Sequence, residues 1–192
     1  MSRGSTLDAN IEHLVVVDLE ATTSSDGSLP KEEMETIEIG AVFVSARDYR
    51  VEREFQSFVR PVRHPTLRPF CTELTSITQA DVDAAPSFPV AFRMFCESIT
   101  TPFDRTLFGS WGRFDKTQFE RDCLHHDIPY TLPPHINLKD VFSATQGKRR
   151  LYAMSEALHV AGVELVGTHH RGIDDARNIA SLRPWILGDR RL

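Results

Sequence analysis

The feature that most constrains this chain is a short run, His13-Leu14-Val15-Val16-Val17, that ends in Asp18-Leu19-Glu20. A nearly continuous apolar run rich in β-branched residues belongs to a central strand covered on both faces. It predicts a strand over Ile11 to Glu20. The acids at its C-terminal end are two positions apart and so point to the same face. Two carboxylates this close repel each other unless a cation or a shared proton intervenes. A hard divalent cation with oxygen ligands meets that demand. Taken alone, the pair is better read as a solvated strand end, so the rest of the chain has to decide.

Thr36 to Ser45 and Val51 to Arg60 read as two further strands, joined by a hairpin turn at Arg47-Asp48-Tyr49-Arg50. Thr22 to Pro30 is a polar loop, and Pro61, Pro65 and Pro69 punctuate the segment after the third strand. Thr78 to Ala84 reads as a short helical turn. A helix begins at Ser87, where Phe88, Ala91, Phe92 and Phe95 have helical spacing. There follow a strand over Thr106 to Ser110, a helix over Arg113 to His126, a short strand over Ile136 to Leu138 and a helix from Lys139. The last helices are predicted over Leu151 to Ala161, stopped by Gly162, and over Ile173 to Leu187, with Pro184 as a kink or end. Strands in hairpin order, followed by strands alternating with helices, predict an α/β fold: a mixed five-stranded sheet flanked by helices. The 192 residues fit one core. We expect a flexible tail over 1–10 and a single domain over 11–192.

Composition narrows the chemistry. With 22 Lys and Arg against 27 Asp and Glu, the net charge is −5, which disfavours a plain polyanion binder. The objection lifts if acids gather around divalent cations, because the bound ions reverse the local sign. No apolar run has the length of a membrane span, and the first residues lack the apolar stretch of a secretory signal. The three cysteines, Cys71, Cys96 and Cys123, are odd in number and show no CxxC pairing. They argue against a disulfide framework or zinc site and read as small buried hydrophobes in a reducing, cytoplasmic compartment.

Other acids fall where ligand sites form in α/β sheets. Asp115 begins the helix that follows Gly109-Ser110-Trp111-Gly112 and shares a stripe with Phe119; a first-turn acid also complements a helix dipole. Near the C-terminus, His169 and Asp174 have the same spacing as His170 and Asp175. Asp175 aligns with Ile179, Leu182 and Ile186, a buried stripe, whereas Asp174 aligns with Arg177, Asn178 and Ser181. Asp175 is therefore predicted to face the sheet, with His170 as its partner. Asp18, Glu20, Asp115 and Asp175, with a histidine that titrates near neutrality, are the equipment for metal-assisted hydrolysis of a phosphodiester.

These residues resemble the motifs of DEDDh exonucleases of the DnaQ-like, or RNase T, superfamily. Asp18-Leu19-Glu20-Ala21-Thr22 is similar to the first motif, Gly112-Arg113-Phe114-Asp115 with Phe119 to the second, and His170 to Asp175 followed by Ala176 to the third. The third motif selects His170 in agreement with the periodicity. Ile37 to Val42, Phe58-Val59-Arg60-Pro61, Phe70 to Gln79, Asp81-Val82 and Ser110-Trp111 resemble the enhanced-RNAi and histone-mRNA 3′-exoribonuclease branch. The resemblance runs from Ile11 to Leu187. It departs at Gly112, Arg113 and Phe114, which separate Trp111 from Asp115, and at Ser76, where glycine is usual. No counterpart of the SAP domain of some relatives is present in the sequence.

The resemblance implies an RNase H-like fold and a 3′–5′ exonuclease that releases 5′-nucleoside monophosphates, here from single-stranded or short-overhang RNA. It implies two divalent cations, Mg²⁺ or Mn²⁺, held by Asp18, Glu20, Asp115 and Asp175, with His170 as general base. It implies substrate contacts at Leu19, Ala21, Thr22, Phe70, Leu74 and Trp111. Glu38, an acid inside an apolar strand, is expected to make a structural hydrogen bond beneath the site. Lys148-Arg149-Arg150, the one dense basic run, suits either a phosphate backbone or a solvated turn, and the turn is preferred. Alternatives are a DNA 3′–5′ exonuclease, a catalytically weak nucleic-acid-binding module, and a metal-dependent hydrolase of small phosphoesters.

Overall fold

The computed structural model describes residues 10–192. Apart from Asn10, the tail expected over 1–10 lies outside the described residues. Five strands, β1 (His13–Ala21), β2 (Thr36–Ser45), β3 (Val51–Phe58), β4 (Thr106–Ser110) and β5 (His135–Asn137), form one mixed sheet in the order β3-β2-β1-β4-β5. The apolar run is its centre: β1 pairs antiparallel with β2 and parallel with β4.

Helices cover both faces, which is why β1 is apolar at consecutive positions. On one face Leu14 and Val16, with Val42 and Val44, pack under α5 (Leu138–Thr145), α6 (Met154–Ala161), α7 (Gly172–Ser181) and α8 (Arg183–Ile186). On the other, Val15, Val17 and Leu19 pack under α3 (Phe88–Ser98) and α4 (Phe114–His125). A smaller cluster of Ile37, Leu67, Cys71, Ile77 and Val82 seats α1 (Pro69–Thr75) and α2 (Gln79–Asp83).

Four elements differ from expectation, the first being α6, which begins at Met154 rather than Leu151. The proline-punctuated segment contains α1, with Pro69 as its first residue; a helix tolerates proline there because that N–H has no intrahelical partner. The last helix is two: α7 ends at Ser181, and α8 restarts with Pro184 in its first turn, where the missing N–H does no harm. The third strand stops at Phe58, and Arg60 instead forms an isolated parallel bridge to Ser87. Ser76 closes α1 in the left-handed region, φ 60°, with its N–H on Thr72 O at 2.8 Å. That conformation suits glycine best, which gives the departure at this position its physical meaning.

One close approach positions the site. A Cβ on Gly40 of β2 would lie 2.1 Å from the carbonyl carbon of Gly172, and a Cβ on Gly172 would lie 2.8 Å from Asp18 O. Only two glycines let the first turn of α7 rest on the β1–β2 backbone. Glu38 locks this contact from below: fully buried, it accepts from the Gly172 N–H at 3.0 Å, Arg171 Nε at 3.1 Å and Gln56 Nε2 at 2.6 Å. This is the structural hydrogen bonding expected of it.

Candidate active site

Three elements deliver the acids to one cleft. β1 carries Asp18 and Glu20 on the α7 side of the sheet. α7 carries Asp175 in its first turn, and α4 carries Asp115 in its first turn on the other side. Asp115 Oδ1 accepts the Leu19 N–H at 2.9 Å across 96 residues of sequence, tying α4 to the strand end. Oxygens of Asp18, Glu20 and Asp175 lie within 4.8 Å of one another. Leu19, Asp115, Trp111, Phe114, Met154, His169 and His170 complete the lining.

Burial and mutual repulsion push the carboxyls toward the protonated form. Asp18 is held well above its ordinary range, by burial first and then by Asp115, Glu20, Asp175 and Glu38. Glu20 is pushed up to about 8 by burial and by Asp175, Glu38 and Asp115, partly offset by Arg171. Asp115 rises to about 6 through burial, against the hydrogen bonds from Leu19, its own N–H and Ser110. Asp175 is raised by burial and restrained by the His170 N–H and His169. Crowded, desolvated carboxylate oxygens must bind either protons or cations. The donor set, oxygen throughout, is the one that hard divalent cations take.

The two histidines divide their contacts in a way that spacing did not reveal. The ring bonded to Asp175 is that of His169, with Nδ1 at 2.9 Å from Oδ2; His170 reaches the same oxygen through its backbone N–H, at 3.0 Å. The expected partnership of His170 with Asp175 is thus made by the main chain. The physical reason is local: His170 takes φ 64°, which turns its N–H toward the carboxylate and its ring out against His169, centroids 4.0 Å apart. Its ring still lines the cleft, and burial together with His169 lowers its pKa. Asp175 is buried, while Asp174 pairs with Arg177 Nη1 at 2.8 Å.

Of the expected substrate contacts, Leu19 and Trp111 line the acid cleft. Leu19 does so at the strand end while its side chain packs into the core. Trp111 is a fixed wall: its indole N–H donates to Tyr152 O at 3.0 Å and its ring lies 5.6 Å from that of Phe142. Ala21 is buried, and Thr22 Oγ1 accepts the Glu35 N–H at 2.9 Å. Phe70 is half-buried in a recess with Ser24, Ser25, Asp26, Arg68 and Pro69, outside the acid cleft. Leu74 is half-buried on the same helix, beside Cys71, whose thiol lies 3.7 Å from Ala21 O; it does not line the cleft either.

Sequence reasoning missed Phe114 and Met154 as cleft residues. Phe114 adjoins Asp115, but at the first position of a helix it belongs to no stripe. It also missed two structural acids. Buried Glu35 accepts the N–H groups of Val62, Arg63 and His64, and buried Asp122 accepts from Thr36 N at 3.2 Å and Thr36 Oγ1 at 2.7 Å. Asp122, one turn after Phe119, carried a signal; Glu35 carried none. Lys148, Arg149 and Arg150 are exposed, and Arg150 pairs with Glu156.

Fold and site together define an α/β protein with a cation-ready carboxylate cluster at the C-terminal end of its central strand. A profile of the RNase_T family, described as exonuclease, matches residues 15–182, and the chain belongs to that family. Among curated proteins it is 33% identical over 181 residues to "ERI1 exoribonuclease 3" of Homo sapiens, covering 88% of this chain and 52% of that one. It is 31% identical over 208 residues to "ERI1 exoribonuclease 2" of Mus musculus, covering 97% of this chain and 30% of that one. The chain therefore spans between about a third and a half of these relatives' length. Among solved structures it superposes with TM-score 0.80 and 27% identity on the nuclease domain of 3′hExo, described as a DEDDh family member bound to rAMP, covering 95% of each chain. A structure of histone mRNA stem-loop recognition by 3′-exonuclease matches with TM-score 0.86 and 26% identity, covering 95% of this chain and 65% of that one. These matches place the chain in the DEDDh, ERI1-like branch, a divalent-metal-dependent group whose fold it shares.

Proposed function

We propose that this chain is a metal-dependent 3′–5′ exoribonuclease that releases 5′-nucleoside monophosphates from single-stranded or short-overhang RNA. The observation that carries the reading is the convergence of Asp18, Glu20, Asp115 and Asp175, from a strand end and two helix starts, on one cleft that also holds a histidine ring. Asp18, Glu20 and Asp175 would hold the cations, with Asp115 beside them. Two Mg²⁺ or Mn²⁺ ions bound there supply charge neutralisation and Lewis acidity toward the phosphodiester. His170 takes the proton of the attacking water, a task suited to a ring that is unprotonated near neutral pH. His169, through Asp175, holds the α7 carboxylate in place. The Trp111 wall excludes water and seats the end of the strand. The free thiols of Cys71, Cys96 and Cys123 support a reducing, cytoplasmic setting.

The RNA preference rests on the names of the relatives, and a DNA 3′–5′ exonuclease with the same machinery is the second reading. Matched 5′-labelled RNA and DNA oligonucleotides, incubated with Mg²⁺, Mn²⁺ or EDTA, separate the two. We expect a metal-dependent ladder shortening from the 3′ end, faster on RNA. Faster cleavage of DNA moves the function to DNA processing, and no cleavage of either removes the enzymatic reading.

A further inference from the structure

The proline-punctuated loop between β3 and α1 is fixed from two sides. Buried Glu35 accepts the N–H groups of Val62, Arg63 and His64 at 2.8–3.0 Å. Gln79 accepts the Leu67 N–H and donates to Pro65 O, both at 2.8 Å. The loop held by these bonds walls a recess of about 240 Å³ that also includes Thr22 and Thr23, two and three residues beyond Glu20. That volume lies below the range of pockets for a whole small molecule and is ample for one phosphate group.

The charge of its lining has one sign. Arg63, His64 and Arg68 line it with Thr22, Thr23 and Thr66; the rest of the wall is apolar, and no carboxylate of the described residues belongs to it. The acids nearest these cations lie outside the lining: Glu35 Oε1 is 4.0 Å from Arg63 Nε, Glu33 Oε2 is 3.4 Å from His64 Nε2, and Asp26 Oδ1 is 4.0 Å from Arg68 Nη1. Glu35 is moreover taken up by three main-chain N–H groups. Arg63 Nη2 donates to Met34 O at 3.1 Å, while its Nε is buried with no acceptor among the described residues. Arg68 Nη1 donates to Ser28 Oγ. A guanidinium carries five donors in a fork that matches phosphate oxygens, which leaves both arginines with donors to spare. The acid cleft repels a phosphate backbone wherever cations do not screen it, and a preformed basic recess just past the same strand end offsets that repulsion.

We propose that the recess of Arg63, His64 and Arg68 binds a phosphate group outside the acid cleft. This rests on the exonuclease reading and deepens it: the chain grips a second phosphate, away from the one it hydrolyses. Two sources share that chemistry, a phosphodiester upstream in the bound strand and the phosphate of a released nucleoside monophosphate. A grip on the strand raises affinity without regard to sequence; a grip on the monophosphate retains product. In either case the arginines act on binding and leave the hydrolytic step to the acids and His170.

Arg68→Gln and Arg68→Lys test it with two titrations. The first follows RNA binding by fluorescence anisotropy across KCl concentrations, with Mg²⁺ and in the His170→Ala background. If the strand is the source, Arg68→Gln weakens binding about tenfold and lowers the salt slope by about 1, Arg68→Lys recovers the slope, and kcat in the active enzyme stays within about twofold. RNAs with one neutral methylphosphonate linkage, second, third or fourth from the 3′ end, then locate the contact: at one linkage the unsubstituted recess falls to the level of Arg68→Gln, and the variant is indifferent. The second titration adds adenosine 5′-monophosphate to the protein in EDTA, with adenosine as control, and is read by calorimetry. If the product is the source, the monophosphate binds several-fold more weakly to Arg68→Gln, adenosine does not distinguish the two, and the salt slope for RNA is unchanged. The salt slope and the linkage dependence are readouts that a lowered Tm does not mimic. An unchanged slope together with unchanged monophosphate affinity overturns the recess while an active wild type keeps the exonuclease reading. A wild type that cleaves no oligonucleotide removes the exonuclease reading, and the same two titrations still decide the recess.

Discussion

The two helix N-termini that flank the acid strand are built in opposite ways. The first turn of α7 is clamped: Gly172 rests on Gly40, Glu38 holds the Gly172 N–H, and Asp175 takes hydrogen bonds from His169 and His170. The first turn of α4 is suspended. Asp115 hangs from the Leu19 N–H, and the Gly112–Phe114 turn before it opens to solvent. A cation site needs at least one rigid wall to keep its carboxylates converged, and the contacts that fix each wall differ. The difference suggests that the α7 side sets the chemistry and the α4 side the fit of the strand.

The sharpest break is at the strand between them. Asp18→Ala should abolish hydrolysis and cation binding together, read by the gel assay and by calorimetric titration with Mn²⁺. Retained turnover would move the site elsewhere. His170→Ala should lower kcat by about 10²–10⁴-fold and leave cation binding intact. His169→Ala should cost less, about 10–100-fold, and weaken cation affinity, since its ring is bonded to Asp175. Equal losses in both variants, with cation affinity unchanged, would erase this division of labour.

Acidity sharpens the same contrast. With Glu20 at about 8 against an ordinary 4.5, and Asp18 displaced in the same sense, the folded metal-free protein keeps protons that the unfolded chain has released. The stability linked to those protons is fully present below the unfolded value and is lost as pH rises through the folded one. Thermal melts in EDTA should therefore fall between pH 5 and pH 8, by a few kcal/mol of stability, and Mg²⁺ should recover more at the higher pH. A melting temperature independent of pH would mean that the carboxyls are not in conflict.

The smallest effects compare the two glycines. Gly40→Ala drives a methyl group into the Gly172 backbone and should destabilise by ~1–3 kcal/mol. Gly112→Ala meets no atom but must adopt φ +125°, so a loss of ~1–2 kcal/mol, with KM affected more than kcat, is expected. Denaturant melts alongside kinetics separate the two; a larger stability loss at Gly112 would reverse the assignment of clamped and suspended walls.

The sequence by itself determined what depends on local periodicity. A β-branched run had to be a central strand, a period of two put Asp18 and Glu20 on one face, and a helical stripe turned Asp175 inward and Asp174 toward Arg177. Proline chemistry at Pro69 and Pro184 was legible too, but only as punctuation, because a proline that ends one helix is equally at home beginning another. Tertiary structure decided the rest. Which histidine ring meets Asp175 depends on a left-handed φ at His170, and which phenylalanine faces the acids depends on where a turn between β4 and α4 opens. The bond from Leu19 to Asp115 spans 96 residues, and that from Gly172 to Glu38 spans 134. Such contacts exist only once separate elements pack, because periodicity fixes the face a side chain takes on its own element and not what that face will meet.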